Sequence, residues 1–259
     1  MAEISAILVI AHRDLVKLLR DRLRILADFA LPLILVLLLG PTLQAGFGEA
    51  GGIDITTFVF TGVLAQSVWQ SSSMGIISLI ADREEDFSQE IFVSPISRYS
   101  IVAGKIIGES LVALPQALAV LGLAVLLGIP VSPLTLVAIL PMVLAMAVYG
   151  GAFGILVLSS ITSQRTANQI FPFVMLPQFF LAGVFNPIHA LPPVLAALSA
   201  ISPMRWAVEA VRHVYYATQP GLVPPEQSPA PVVATVIVVS FVGFIALGTA
   251  LFVRAERNR

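Results

Sequence analysis

The chain has 259 residues, of which 58% are hydrophobic and 11% charged, with a formal net charge of −1; its mean hydropathy is +0.95. A soluble domain carries about a quarter charged residues, so this composition excludes a soluble globular enzyme and a disordered chain, and it leaves no basic field for a nucleic acid. There is no cysteine, which removes disulfide frameworks, thiolate metal sites and thiol catalysis together, and with them prenylation and palmitoylation. The remaining class is an all-α polytopic membrane protein.

The first residues, MAEISAILVIAHRDLVKLLRDRLR, put the apolar run before the basic cluster, the reverse of a secretory signal. Ile4, Ile7, Leu8, Ala11, Leu15, Leu18 and Leu19 recur at helical spacing, although Val9, Ile10 and Val16 blur the stripe. This predicts an amphipathic cytoplasmic interface helix within residues 1–26, its basic groups turned to lipid phosphates. It is either a topology anchor or also a contact for a cytoplasmic partner.

A helical span needs about 20 predominantly apolar residues. Six such runs follow: about 27–44, 55–80, 101–127, 134–159, 170–185 and 232–253. Pro32, Pro115, Pro141, Pro172 and Pro177 fall inside them, and a membrane bundle tolerates the kinks because neighbours satisfy the freed carbonyls. A seventh stretch, HALPPVLAALSAIS over 189–202, is too short to cross and opens with Pro192 and Pro193; it reads as re-entrant or interfacial within a long external segment, 186–231. With six spans both termini share one side. Twelve Lys and Arg then lie on that side and two, Arg205 and Arg212, on the other, which puts both termini and the 254–259 tail in the cytoplasm. No internal repeat supports an inverted-repeat carrier.

The loop after span two reads ADREEDFSQEIFVSPISRYSIVAGK. Acidic residues crowd at its head and Ile91, Phe92, Val93 and Ile96 follow, with Pro95 closing the segment. A short helix with an acidic head and an apolar tail has the make-up of a docking element; the alternative is that its apolar residues tuck under the membrane interface.

With these residues the chain resembles the transmembrane subunits of type-2 ABC exporters, the ABC-2 permeases, whose relatives include daunorubicin-exporter (multidrug) and nodulation-transport permeases. The basic N-terminal helix, DREEDFSQEIFVSPISRYSIVAGK, FLAGVFNPIHALP and ISPMRWAVEAVRHVYY carry the likeness, in order, over nearly the whole length. The resemblance implies the type V exporter fold as a single domain over 1–259: six transmembrane helices, an N-terminal interface helix and an external re-entrant helix pair near 188–217 that caps the exit. It implies a multi-pass protein of the cell (inner) membrane, paired with a second permease copy as homodimer or heterodimer, and with two separate ATP-binding subunits that hold ATP and Mg. It also implies a coupling helix at about 82–94. On that basis the ATPase-coupling residues are Asp82, Arg83, Glu84, Glu85, Asp86, Phe87, Glu90, Ile91, Phe92, Ser94 and Pro95, with His12 and Arg13 on the interface helix. Spans two and five line the path in the family, which selects Gln66, Trp69, Gln70, Phe173, Gln178 and Phe179 as substrate-path residues; ordinary helix packing is the competing reading for each.

The chain holds no G-x-x-x-x-G-K-[ST] phosphate loop: Gly104 and Lys105 adjoin, but Ile106 follows. The exporter reading therefore places ATP hydrolysis in a separate polypeptide, with no catalytic residue, cofactor or metal in this one. Its three histidines, His12, His189 and His213, lie far apart, and no nucleophile elbow occurs.

Glu109, four residues after Lys105, is an ionisable group within a span and so a functional candidate; the plainer reading is a helical pair whose lysine snorkels to the cytoplasmic edge. Arg205, Glu209 and Arg212 form an external strip at helical spacing, either a solvated face or an exit gate. Gly150, Gly151 and Gly154 suit close helix contacts. The expected substrate of an apolar, aromatic path is a lipophilic drug or lipid, and related permeases also move glycans. An ATPase-independent carrier or channel is the alternative from another class; the scarcity of intramembrane acids weighs against a proton-driven form.

Overall fold

A chain in a bilayer must satisfy every backbone N–H and C=O internally, and the computed structural model meets this with helices: all regular structure among the described residues, 2–47, 52–84, 97–161 and 163–257, is helical. The elements are α1 (Ala2–Arg20), α2 (Arg22–Ile34), a π-helical turn (Leu35–Leu39), α3 (Gly40–Phe47), α4 (Ile55–Gly75), α5 (Ile77–Glu84), α6 (Arg98–Leu126), α7 (Pro133–Leu158) and α8 (Gln164–Leu181). A short 3₁₀ turn (Ile188–Ala190), α9 (Pro193–Ile201), α10 (Pro203–Ala217) and α11 (Ala230–Arg257) complete the order.

Local chemistry sets several boundaries. Asp54, Ser97, Ser132 and Ser163 cap α4, α6, α7 and α8, each accepting a hydrogen bond from the backbone N–H three residues on. The π-helical turn lies between Pro32 and Pro41; each proline removes a backbone donor, and the ladder between them shifts register.

Helix α4 lies at the centre. Its residues from Thr57 to Trp69 are all buried, and α6, α7 and α10 surround it. Small residues permit the closest approach: a Cβ at Gly150 would lie 2.3 Å from the Trp69 carbonyl oxygen and one at Gly154 2.6 Å from that of Ser73. Ser73 Oγ donates across the same contact to the Gly150 carbonyl at 2.7 Å. The three glycines of α7 thus act as close helix contacts, as their spacing suggests.

Among the described residues four segments are long and apolar enough to cross a membrane: Asp28–Gly46, Tyr99–Leu126, Pro133–Leu158 and Ala230–Arg254. Helices α9 and α10, bent 83° to each other, make a fifth if counted as one broken span. Helices α4 and α8 are not in this set. Gln66, Gln70 and the serines of α4, and Gln164, Arg165 and Asn168 of α8, reduce their apolarity. The protein is thus an all-helical, multi-pass membrane protein with four or five spans by this measure, against the six read from the sequence.

Helix α1 lies against the bundle. It packs along α6, with Ala11 and Leu18 buried. Gly104 and Gly108 admit its backbone: their Cβ positions would lie 3.2 Å from Ile7 Cα and 3.1 Å from Ala11 Cα. Ile4, Leu8, Val9 and Leu19 stay exposed, while Asp14 is buried and Arg13 half-buried, so α1 turns several apolar groups outward and the Arg13–Asp14 pair inward.

Candidate functional site

The charges that α1 turns inward meet those of α5 and α6. Lys105 sits on α6 one turn before Glu109, so both side chains share a face. Asp14 reaches them from α1, where Gly108 leaves room, and Asp82 reaches them from the end of α5. Lys105 Nζ lies 2.8 Å from Asp14 Oδ2, 3.3 Å from Glu109 Oε1 and 3.7 Å from Asp82 Oδ2. Arg13 donates to Asp82 Oδ2 and lies 3.0 Å from Asp14 Oδ1, while Lys17 Nζ lies 3.2 Å from Asp82 Oδ1. Ser78 Oγ donates to Glu109 Oε1 at 2.8 Å. Three cations and three carboxylates therefore balance one another. Burial raises the Asp82 pKa, but attraction to Lys105, Arg13 and Lys17 outweighs it and holds the carboxyl below its usual range. Burial lowers that of Arg13, and Asp82 and Asp14 more than restore it.

Two sequence readings change here. Lys105 does not snorkel: it is 1% exposed, because three carboxylates lie within reach and water does not. Arg13 pairs with Asp82 and Asp14, whereas Lys17 pairs with Asp82 and keeps its side chain 57% exposed. Of the coupling residues, Asp82 and Arg13 belong to the cluster, and His12 is exposed beside it. Arg83 and Glu84 close α5. Glu85, Asp86, Phe87, Glu90, Ile91, Phe92, Ser94 and Pro95 lie outside the described residues.

The residues expected to line a substrate path divide. Gln66 and Gln70 line a cavity of about 260 Å³ with Leu31, Pro32, Leu35, Met74 and Gln116. A second cavity, also about 260 Å³, adjoins it through Asp28, Ser71 and Met74 and reaches Ser78, Gln164 and Asn168. Trp69 instead packs against Phe153 of α7, with ring centroids 4.9 Å apart. Phe173 stands on the outer face of α8, 78% exposed. Gln178 joins α8 to α10 by accepting from the Met204 N–H at 3.4 Å, and Phe179 packs with Phe180 and Phe185. The structure thus brings Gln66 and Gln70 together and leaves the other four elsewhere.

The strip of Arg205, Glu209 and Arg212 is not solvated. Arg205 Nε lies 2.9 Å from Glu209 Oε1, whose Oε2 accepts from the Ser228 N–H at 3.0 Å. Arg212 is buried and donates to the carbonyls of Phe58 at 3.1 Å and Val184 at 3.4 Å. Its guanidinium also lies 3.8 Å from the Phe58 ring centroid. Gly62 makes this approach possible, since a Cβ there would lie 2.9 Å from Arg212 Nη2. Arg212 therefore ties α10 to α4 and to the loop after α8. Among the described residues no group of three or more His, Asp or Glu could hold a metal ion.

Asp14 and Gln116 escaped the sequence reading. A lone amide inside an apolar run was the available signal for Gln116. Asp14, between Arg13 and Lys17, reads as part of an ordinary mixed-charge face until α6 is placed beside it.

The apolar helices packed around a buried centre mark a multi-pass helical membrane protein. The family model for the ABC-2 type transporter matches residues 5–216, and the chain belongs to that family. It is similar to a protein of Cyanophora paradoxa named as transport permease ycf38, with 23% identity over 216 residues, covering 82% of this chain and 74% of the relative. It is also similar to a protein of Escherichia coli K12 named as multidrug ABC transporter permease YbhR, with 28% identity over 142 residues. That match covers 54% of this chain and 38% of the relative.

Proposed function

We propose that the chain is the transmembrane subunit of an ATP-driven exporter that moves a lipophilic drug, lipid or glycan-type substrate out of the cytoplasm by alternating access. Two separate ATP-binding subunits hold ATP and Mg, and a second permease copy completes the complex. In this reading six spans cross the inner membrane, with α4 and α8 as spans two and five and both termini cytoplasmic. The bent α9–α10 pair caps the exit.

One observation carries the coupling part of this reading. The Lys105 cluster ties α1 to α5 and α6, so that the interface helix, the base of the acidic loop and span three are one mechanical unit. A movement imposed on the loop by an ATPase passes through Asp82 to Lys105 and into α6. Family membership and the YbhR likeness support a partner that hydrolyses ATP, because the sequence offers no phosphate loop of its own. The test replaces Glu84, Glu85 and Asp86 with lysine. Export of a reporter dye should fail while membrane insertion persists; unchanged export would remove the segment from coupling.

A further inference from the structure

The cavity between α2, α4 and α6 holds two buried acceptors without a partner. Gln116 Nε2 donates to the Asp28 carbonyl at 2.6 Å, and this fixes the orientation of the amide, because a carbonyl can only accept. Gln116 Oε1 is thereby left with no hydrogen bond, and the residue is 6% exposed. Gln66 Nε2 donates to Gln70 Oε1 at 2.7 Å, and Gln66 Oε1 likewise has no partner at 3% exposure. Both residues line the same cavity of about 260 Å³, large enough for several water-sized groups. Buried acceptors left unmatched are costly, and a cavity that gathers two of them is built to receive a donor.

The rest of the lining narrows the donor. Leu31, Pro32, Leu35 and Met74 supply an apolar wall, and Asp28, Ser67 and Ser71 complete the lining beside the three amides. No Lys or Arg lies among the described lining residues of this cavity or its neighbour, so no fixed cation repels a positive group or attracts an anion. An ammonium carries three donors and no acceptor, which matches a site of unmatched acceptors. A hydroxyl would bring lone pairs of its own and would need donors in return.

We propose that this cavity binds the primary ammonium head of an amphiphile, its head at Gln116 and Gln66 and its tail along α2. The assignment rests on reading the chain as an export permease and narrows its substrate class. The test compares two probes of equal charge and chain, dodecylammonium and dodecyltrimethylammonium, the second having no N–H donor. The full-length protein is placed in zwitterionic nanodiscs, and equilibrium binding is measured net of empty nanodiscs.

The wild type should bind dodecylammonium at least about tenfold more tightly than the trimethyl probe, the worth of one hydrogen bond to a charged group. Gln116→Leu should bring the two affinities together by weakening the first alone. Equal binding of both probes by the wild type, net binding of neither, or an unchanged ratio in Gln116→Leu would overturn the proposal; the wild-type comparison decides the matter if that variant does not fold. The assay needs no ATPase. Lost selectivity beside a co-purifying ATPase refutes the amine site alone, whereas selective binding without any ATPase partner refutes the exporter reading alone.

Discussion

Lys105→Met is the most informative single change in the ion cluster. The Lys105 side chain is 2% exposed, with Asp14 and Glu109 at 3% and 2%. Methionine fills similar volume without the charge, so the loss is electrostatic. Two buried carboxylates then lose their nearest cation, and breaking a buried pair costs about 3–5 kcal/mol. Lys17 is the internal comparison: it pairs with Asp82 at 3.2 Å but its side chain is 57% exposed, and an exposed pair contributes about 0–1 kcal/mol. Equilibrium unfolding of the purified protein in mixed micelles should therefore separate Lys105→Met from Lys17→Ala by more than about 2 kcal/mol. Asp14→Asn in the Lys105→Met background should recover part of the loss, giving a coupling energy between the two sites. Equal costs for the two lysine variants, or strict additivity in the double variant, would refute the argument that burial makes Lys105 the keystone.

Gly150→Leu should destabilise the bundle by about 2 kcal/mol or more, because its Cβ position lies 2.3 Å from the Trp69 carbonyl oxygen; Gly122→Ala, where nothing lies within 4 Å, should be neutral or mildly stabilising, and thermal unfolding in detergent reads both. Arg212→Met should cost at least about 2 kcal/mol by stranding the Phe58 and Val184 carbonyls, and Arg212→Lys should recover only part of it, since both carbonyls bond to the one nitrogen Nη2 while Nε donates separately to Thr61 Oγ1, and an ammonium has no second nitrogen. Asp82 has a folded pKa below the ordinary value of 3.8, so its contribution to stability is complete above that value and is lost as pH falls through the depressed one. Acid unfolding followed optically should show that loss in the wild type and not in Asp82→Asn.

Four of the six expected spans, near 27–44, 101–127, 134–159 and 232–253, were legible because a long apolar run is a local signal, whereas the polar residues of α4 and α8 interrupt theirs. Close helix contacts were legible in the spacing of Gly150, Gly151 and Gly154, but not that α4 is the partner. The inward charges were not. Asp14 and Lys105 lie 91 positions apart, and a charged residue on an amphipathic pattern looks alike whether it faces phosphate, water or a buried partner. Arg212 shows the same limit, since its carbonyl partners on α4 and after α8 carry no side-chain signature at all. In span two, polarity marked Gln66, Trp69 and Gln70 alike. Only packing divides them, sending Trp69 to Phe153 and the two amides to a cavity whose third amide, Gln116, comes from α6.

In the proposed mechanism a separate ATPase drives this permease. The direct measurement is affinity capture of the tagged chain from mildly solubilised native membranes, with mass spectrometry of the stoichiometric partners. The account predicts a partner carrying a G-x-x-x-x-G-K-[ST] loop in constant ratio to the permease. A chain that elutes without any ATPase across several mild detergents, yet transports under an ion gradient in liposomes, would contradict it.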